Sequence, residues 1–187
     1  MSRRRAAVPQ RRRYFIGCEG ESEQGYVALL ARLAGLRRSA VHLDAVLLQP
    51  GGGDPLALVE LADRKADERE RRSGAFAGRF ILLDDDKLGQ APARDARIEA
   101  VRARGRFQLI WQRSCHEALL LRHLKGCSQR RPGNTPRALA DLEREWQGYR
   151  KGLPAARLAD RIDEDALGRV AAVEPELAIL LAAIGFV

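Results

Sequence analysis

Short apolar segments alternate with segments of helical periodicity along the first two thirds of the chain. The apolar segments are rich in β-branched and aromatic residues and end at glycine, proline or acidic turns, a pattern typical of buried strands. The segments between them repeat apolar residues at the three- and four-residue spacing of amphipathic helices. This alternation predicts an α/β fold with a mostly parallel four-stranded sheet and helices on both faces. The four predicted strands are residues 14–18, 41–48, 79–83 and 107–111.

The last third of the chain has a different pattern. A polar loop at residues 128–136 is followed by four helical patterns without a further strand. We therefore expect an α/β core at residues 14–127 and a helical C-terminal extension at residues 128–187 that packs on it. Residues 1–13 hold six arginines and no acid, and they form a predicted basic, flexible arm.

Composition restricts the class of protein. The formal net charge is +8, but much of it lies in the arm, which either contacts phosphates or is a solvated tail. No apolar run reaches the ~18 residues needed to cross a bilayer, so we expect no membrane partner. The three cysteines are not closely spaced in pairs and no secretory signal is recognisable, which favours a cytoplasmic protein.

Acidic clusters directly follow two of the predicted strands. Glu19 comes after the first strand, and Asp84, Asp85 and Asp86 come after the third. Because parallel strands end at the same edge of a sheet, these carboxylates are expected to meet there. They are the ligands that Mg²⁺ or Mn²⁺ prefers, and Asp84 and Asp86 would point the same way if the segment stayed extended. A solvated loop with helix-capping acids is the alternative.

Three motifs resemble those of the RloB-like proteins, a family similar to Toprim domains. They are a Cys-Glu-Gly-Glu start at residues 18–21, the aspartates at 84–86, and the segment Ser-Cys-His-Glu-Ala-Leu at 114–119. The chain departs from the family pattern at Gln112 to Ser114, and it has His116 and Leu119 where the family has Phe and Trp.

The resemblance assigns roles to individual residues. It implies that Glu19 is the acid/base glutamate, that Asp84 and Asp86 bind Mg²⁺ together with Glu19, and that Glu117 belongs to the catalytic set. It also implies a restriction or phage-defence setting and an ATPase partner of the AAA or ABC type. The expected activity is metal-dependent hydrolysis of a phosphodiester in DNA or RNA.

Other residues are candidates for binding nucleic acid. Arg113, Arg130 and Arg131 could contact phosphates without reading sequence, and the backbone of residues 51–53, three glycines, could approach a phosphate. For each arginine the alternative is a side chain that faces solvent. For residues 51–53 the alternative is a flexible loop between a strand and a helix.

Three alternatives to a nuclease stay open at this point. The first is a non-catalytic interaction subunit of a defence ATPase. The second is a phosphatase with an aspartate nucleophile, which the residues Lys87-Leu88 after the aspartates disfavour. A zinc site is also disfavoured, because its candidate ligands include two adjacent residues on an otherwise apolar helix. Those candidates are Cys115, His116, His123 and Cys127.

Overall fold

The protein is an α/β fold with helices on both faces of one parallel sheet. The structure, a computed structural model, describes residues 11–49 and 53–187. Within these ranges four strands and eight helices follow one another. They are β1 (Arg12–Cys18), α1 (Glu21–Leu36), β2 (Val41–Leu47), α2 (Pro55–Ser73), β3 (Gly78–Asp84), α3 (Pro92–Gly105), β4 (Phe107–Gln112), α4 (His116–His123), α5 (Thr135–Glu145), α6 (Ala155–Leu158), α7 (Glu164–Ala171) and α8 (Pro175–Ala183).

The order of the strands creates a switch point in the middle of the sheet. The order is β2-β1-β3-β4, and every neighbouring pair is parallel. The chain moves from β1 outward to β2, and then returns across β1 to β3 and β4. In open α/β sheets ligands bind at the carboxyl edge where this reversal occurs, which here is between β1 and β3.

Alternate residues of the central strands pack into two separate hydrophobic layers. On one face, Ile16 and Leu82 contact α1, α4 and the C-terminal helices. On the other face, Phe15 and Ile81 pack with α2 and α3. This two-residue period follows from the pleat of a strand. The sequence prediction of a four-stranded α/β sheet covered on both sides is confirmed.

The C-terminal helices complete the first of these layers. The Tyr14 hydroxyl donates a hydrogen bond to the carbonyl oxygen of Ala183 at 2.7 Å. On the outer strand β4, the Trp111 N–H donates to the Glu176 carboxylate of α8 at 2.7 Å. Leu177, Leu180 and Leu181 are buried in the same layer. The extension is therefore continuous with the core.

Several predicted boundaries need correction. β1 begins at Arg12, so the last two residues of the predicted arm belong to the sheet, while residues 1–10 lie outside the described residues. α1 starts at Glu21 with Gly20 as its N-cap. Asp54 is the N-cap of α2, and its carboxylate accepts from the Ala57 N–H at 3.1 Å. In the described part of the chain, no helix combines the length and apolar character needed to cross a membrane.

Candidate functional site

An acidic cleft of about 380 Å³ lies at the carboxyl edge of the sheet, at the switch point between β1 and β3. It is formed by the turn after β1, the first turn of α1, the end of β3, the start of α4 and the loop after α5. Five of its side chains are carboxylates and one is a lysine. The lining residues are Glu19, Gly20, Glu21, Ser22, Glu23, Gln49, Asp84, His116, Glu117, Lys151 and Gly152.

Glu19 and Asp84 meet in this cleft, as the sequence predicted. Asp84 is the last residue of β3, and Glu19 directly follows β1 on the neighbouring strand. The Glu19 carboxylate accepts a hydrogen bond from the backbone N–H of Asp84 at 3.1 Å. Both residues are half-buried. The contact ties the turn after β1 to the end of β3 and holds the two acids side by side.

A glutamine from β4 joins Asp84 to a second glutamate. Gln112 is paired with Asp84 across the β3–β4 ladder. With its amide oriented by its neighbours, its nitrogen donates to Asp84 Oδ1 at 3.0 Å and to Glu23 Oε1 at 3.2 Å, while its oxygen accepts from His116 Nδ1 at 3.2 Å. Glu23 also accepts from the Gly20 N–H at 3.0 Å. One neutral amide group therefore lies between two carboxylates and donates a hydrogen bond to each of them.

Burial and the crowding of negative charge both shift the pKa of Asp84 upward. Burial is the largest cause, and Glu23, Glu19, Glu117 and Asp86 add to it, so that the pKa reaches about 8. The pKa of Glu19 is also raised, chiefly by burial, although the hydrogen bond from Asp84 opposes the shift. A cation placed between these side chains would relieve the repulsion.

Glu117, another acid of the cleft, forms an ion pair with a lysine side chain. Its carboxylate lies 3.2 Å from Lys151 Nζ. Burial acts to raise the pKa of Glu117, but its own backbone N–H and the charge of Lys151 outweigh burial, and the net shift is downward. Glu117 is thus an anion at neutral pH, held at the first turn of α4, where the helix dipole also favours negative charge.

The position of Lys151 depends on close packing between α1 and the extension. The Gly152 N–H donates to the Ser22 hydroxyl at 3.2 Å. Next to this contact, a Cβ atom on Gly25 would lie 2.8 Å from the carbonyl oxygen of Leu153, so only glycine lets the two segments approach this closely. The C-terminal extension therefore contributes a side chain to the cleft.

His116 closes the inner end of the cleft. It is 3% exposed, and burial lowers its pKa, so that it is neutral. Its Nδ1 faces Gln112, and its Nε2 has no hydrogen-bond partner within residues 11–49 and 53–187. The edge of its ring packs against Tyr26.

Asp86 does not lie with Asp84 in the cleft. The prediction that both point the same way assumed an extended segment, but β3 ends at Asp84 and the chain turns from Asp86 onward. Asp86 is exposed, and its charge still contributes to the raised pKa of Asp84. Asp85 accepts a hydrogen bond from the Ser114 N–H at 2.7 Å. The metal-binding role of Asp86 stays a prediction.

Two of the three arginines predicted to bind nucleic acid already have partners. Arg130 forms an ion pair with Glu145 at 2.7 Å. Arg131 lies 3.5 Å from Glu174 and donates to the carbonyl oxygen of Ser128. Arg113 is exposed at the end of β4. Their role in phosphate binding stays a prediction.

His123, one of the candidate zinc ligands, has both ring nitrogens in hydrogen bonds. His123 Nδ1 donates to the carbonyl oxygen of Leu119 at 2.9 Å, and its Nε2 accepts from the Tyr26 hydroxyl at 2.9 Å. Burial lowers the pKa of His123 to about 3. Of the predicted glycine loop, residues 51 and 52 lie outside the described residues, while the carbonyl of Gly53 binds Lys87.

The cleft suits a hard divalent cation in its chemistry. The Glu19 carboxylate lies against the backbone of Asp84, and the pKa values of both carboxyl groups are raised, chiefly by burial and further by the neighbouring acids. Across the described ranges, however, no three Asp, Glu, His or Cys side chains form a ready-made ion site. Mg²⁺ is commonly held by only one or two carboxylates, with water and substrate phosphate oxygens as its other ligands.

No protein-family model matches this chain, and comparisons with curated proteins and with solved structures also find no match.

Four residues of the cleft were not predicted from the sequence. Glu23 follows no strand directly, and Gln112 and His116 are departures from the family pattern. Lys151 belongs to the extension, and no local pattern connects it with the motifs around the sheet. A signal for Glu23 was present, because it is the third residue after the glycine at which α1 begins, and a glutamate there reaches back to the N-cap N–H.

Proposed function

We propose that the protein is a metal-dependent phosphodiester hydrolase, a nuclease of the RloB-like type, whose active site is the acidic cleft. The observation that carries this proposal is the direct contact of Glu19 with Asp84 at the switch point of the sheet. Two half-buried carboxylates with raised pKa values are costly to keep together unless a cation is bound there. A binding scaffold would have no need for this arrangement.

Glu19 and Asp84 would hold the divalent ion. Bound there, Mg²⁺ or Mn²⁺ would supply Lewis-acid polarisation of a phosphodiester and stabilisation of its leaving oxygen. Gln112 donates a hydrogen bond to Oδ1 of Asp84, and so restricts the orientation of that carboxylate. The open side of the cleft leaves room for the substrate phosphate.

Lys151 and Glu117 have roles that need no metal. Lys151 is 59% exposed at its side chain and reaches into the cleft, so it can contact a phosphate oxygen while it also holds Glu117. Glu117 stays ionised and accepts a hydrogen bond from the attacking water. Glu19, whose pKa is raised chiefly by burial, has a second role besides holding the ion, which is to exchange a proton with the reacting groups.

The test is cleavage by the purified full-length chain. Single- and double-stranded DNA and transfer RNA are incubated with the protein in Mg²⁺ or Mn²⁺, and in EDTA. Glu19→Gln and Asp84→Asn should each lower the rate by about 100-fold or more, since each removes a proposed metal ligand. Glu21→Gln, a matched change at an exposed glutamate of the same cleft, should stay within about threefold.

Binding of Mn²⁺ is measured alongside, by titration calorimetry. Weaker binding in Asp84→Asn than in Glu21→Gln would support the assignment of the site. If cleavage persists in both Glu19→Gln and Asp84→Asn, the proposed site is wrong. If no nucleic acid is cut and no metal binds, the alternative of a non-catalytic subunit of an AAA- or ABC-type ATPase in a defence system is favoured.

A further inference from the structure

The amino-terminal edge of the sheet, opposite the acidic cleft, is a continuous basic surface. Three hollows lie side by side along it, at the starts of β2, β1 with β3, and β3 with β4, the largest of about 500 Å³. Each is lined by two or more arginines, and the described residues that line them include no Asp or Glu. The two edges are separated by the length of the strands, roughly 20 Å.

Four arginines of this surface are exposed, and none of them has an anionic partner among residues 11–49 and 53–187. Arg11, Arg38 and Arg106 have no side-chain hydrogen bond or ion pair to any residue in the described ranges, and Arg12 lies over the Tyr14 ring. They extend from β2 to β4, a width of about 14 Å. The described acids near this edge are already paired: Asp44 with Arg13 and Arg69, Asp67 and Glu70 with Arg79, and Glu99 with Arg102.

Two of these arginines occupy backbone positions that disfavour them. Arg38 follows α1 with φ of 55°, and Arg106 follows α3 with φ of 52°. Glycine is the usual residue in this left-handed conformation after a helix. Both positions lie on the same edge, and both hold arginine although glycine would remove the backbone strain. This indicates that the positive charge is needed there.

We propose that this amino-terminal edge binds the phosphate backbone of a nucleic-acid duplex. A row of unpaired guanidinium groups matches regularly spaced phosphates. The aromatic side chains of the hollows are buried or half-buried, as with Phe76, Phe80 and Phe107, so they offer no stacking platform of the kind that single strands use. This binding does not depend on the proposed nuclease activity.

The test measures binding in EDTA, so that cleavage does not contribute. Fluorescence anisotropy with a labelled 20-base-pair duplex of mixed sequence is recorded for the full-length chain from about 50 to 300 mM salt. Four phosphate contacts predict a slope of log affinity against log salt near −3.6, about −0.9 for each contact. Arg38→Gly with Arg106→Gly should weaken binding on the order of tenfold and reduce the slope by about 2.

The glycine substitutions also separate binding from stability. If the two arginines served only the helix ends, their removal would lower the melting temperature and leave the affinity unchanged, which would overturn the proposal. Since glycine relieves the left-handed backbone, we expect the melting temperature to stay equal or rise. Arg64→Ala with Arg157→Ala removes the same charge from exposed helix positions away from this edge, and should change the affinity less than twofold.

Two further outcomes would contradict the proposal. An equal loss of affinity in the Arg64 and Arg157 control would mean that only net charge matters. A greater loss in Arg113→Ala with Arg131→Ala would place the duplex at the carboxyl edge instead. Competition with polyglutamate distinguishes an acidic protein partner from nucleic acid. If polyglutamate displaces the duplex when both are present at equal charge concentration, an acidic protein partner is favoured and the assignment to nucleic acid is contradicted.

Discussion

Gln112 and Asp84 are cross-strand partners whose side chains hydrogen-bond at 3.0 Å, and the same amide group also reaches Glu23 at 3.2 Å. Gln112 is 1% exposed, so water cannot replace it. A neutral donor at this position lowers the repulsion between two carboxylates without adding a charge of its own. The strand β4 thus contributes to the cleft although it contains no acidic residue.

Replacing Gln112 by glutamate should strongly destabilise the folded protein. The substitution removes the donated hydrogen bonds and adds a buried carboxylate next to two others, at a cost of about 2 to 4 kcal/mol. The free energy of unfolding is measured by urea titration at pH 8 in EDTA. Gln108→Glu, on the same strand but away from the acids, is the control and should cost about 1 kcal/mol or less. Similar losses in both variants would show that the cleft charges are not involved.

The raised pKa of Asp84 predicts that stability falls as the pH rises. An aspartate is near 3.9 in the unfolded chain and Asp84 is at about 8 in the fold, so the folded state binds more protons between these values. The stabilisation from the protonated carboxyl is complete below about pH 4 and is lost as the pH rises through about 8. Urea titrations at pH 5, 6.5 and 8 in EDTA should show this decline, and Asp84→Asn should flatten it.

Asp86→Asn is the matched control for this pH experiment. Asp86 is exposed on the following turn, and its removal should leave most of the pH dependence in place. If Glu19 and Asp84 bind Mg²⁺, saturating Mg²⁺ should also stabilise the wild-type protein at pH 8, by about 2.7 kcal/mol at 100 times the dissociation constant, and should have little effect on Asp84→Asn. Parallel pH curves for wild type and Asp84→Asn would contradict the assignment.

Gly25→Ala should loosen the contact between α1 and the loop that carries Lys151. The added methyl group would lie 2.8 Å from the Leu153 carbonyl oxygen, so one of the two segments must move, at a cost of about 1 to 3 kcal/mol. Hydrogen exchange of residues 150–158 should speed up. Any cleavage activity should fall through the displacement of Lys151.

The same helix provides the control for this substitution. A Cβ on Gly35 would meet no atom within 4 Å, so Gly35→Ala should be neutral or stabilise the helix by roughly 0.5 to 1 kcal/mol. If Gly25→Ala behaves like Gly35→Ala, the close approach at Leu153 does not position the loop.

The sequence was sufficient for the fold and for the central pair of the site. Buried strands such as β3 are continuous apolar runs, so their number and parallel arrangement followed from periodicity and from the helices between them. Once the strands were parallel, Glu19 and Asp84 had to share an edge. Local pattern alone was enough for both conclusions, because each depends on residues directly attached to a strand end.

The rest of the cleft depends on contacts between distant segments. Asp86 was expected beside Asp84, but the direction of the chain after a strand is decided by turn contacts such as that of Asp85 with Ser114. Lys151 reaches Glu117 only because the extension folds back onto α1. Neither contact leaves a periodic or compositional signal in the sequence.

The hydrogen bond from the Trp111 N–H to Glu176 has a consequence for shortened forms of the chain. It occupies a backbone donor on the outermost strand, which would otherwise be open to pairing with a strand of another molecule. A chain cut before α8 would leave that flank of β4 bare, together with the apolar surface under Leu177 and Leu181. Self-association into aggregates is therefore the expected fate of such a truncation.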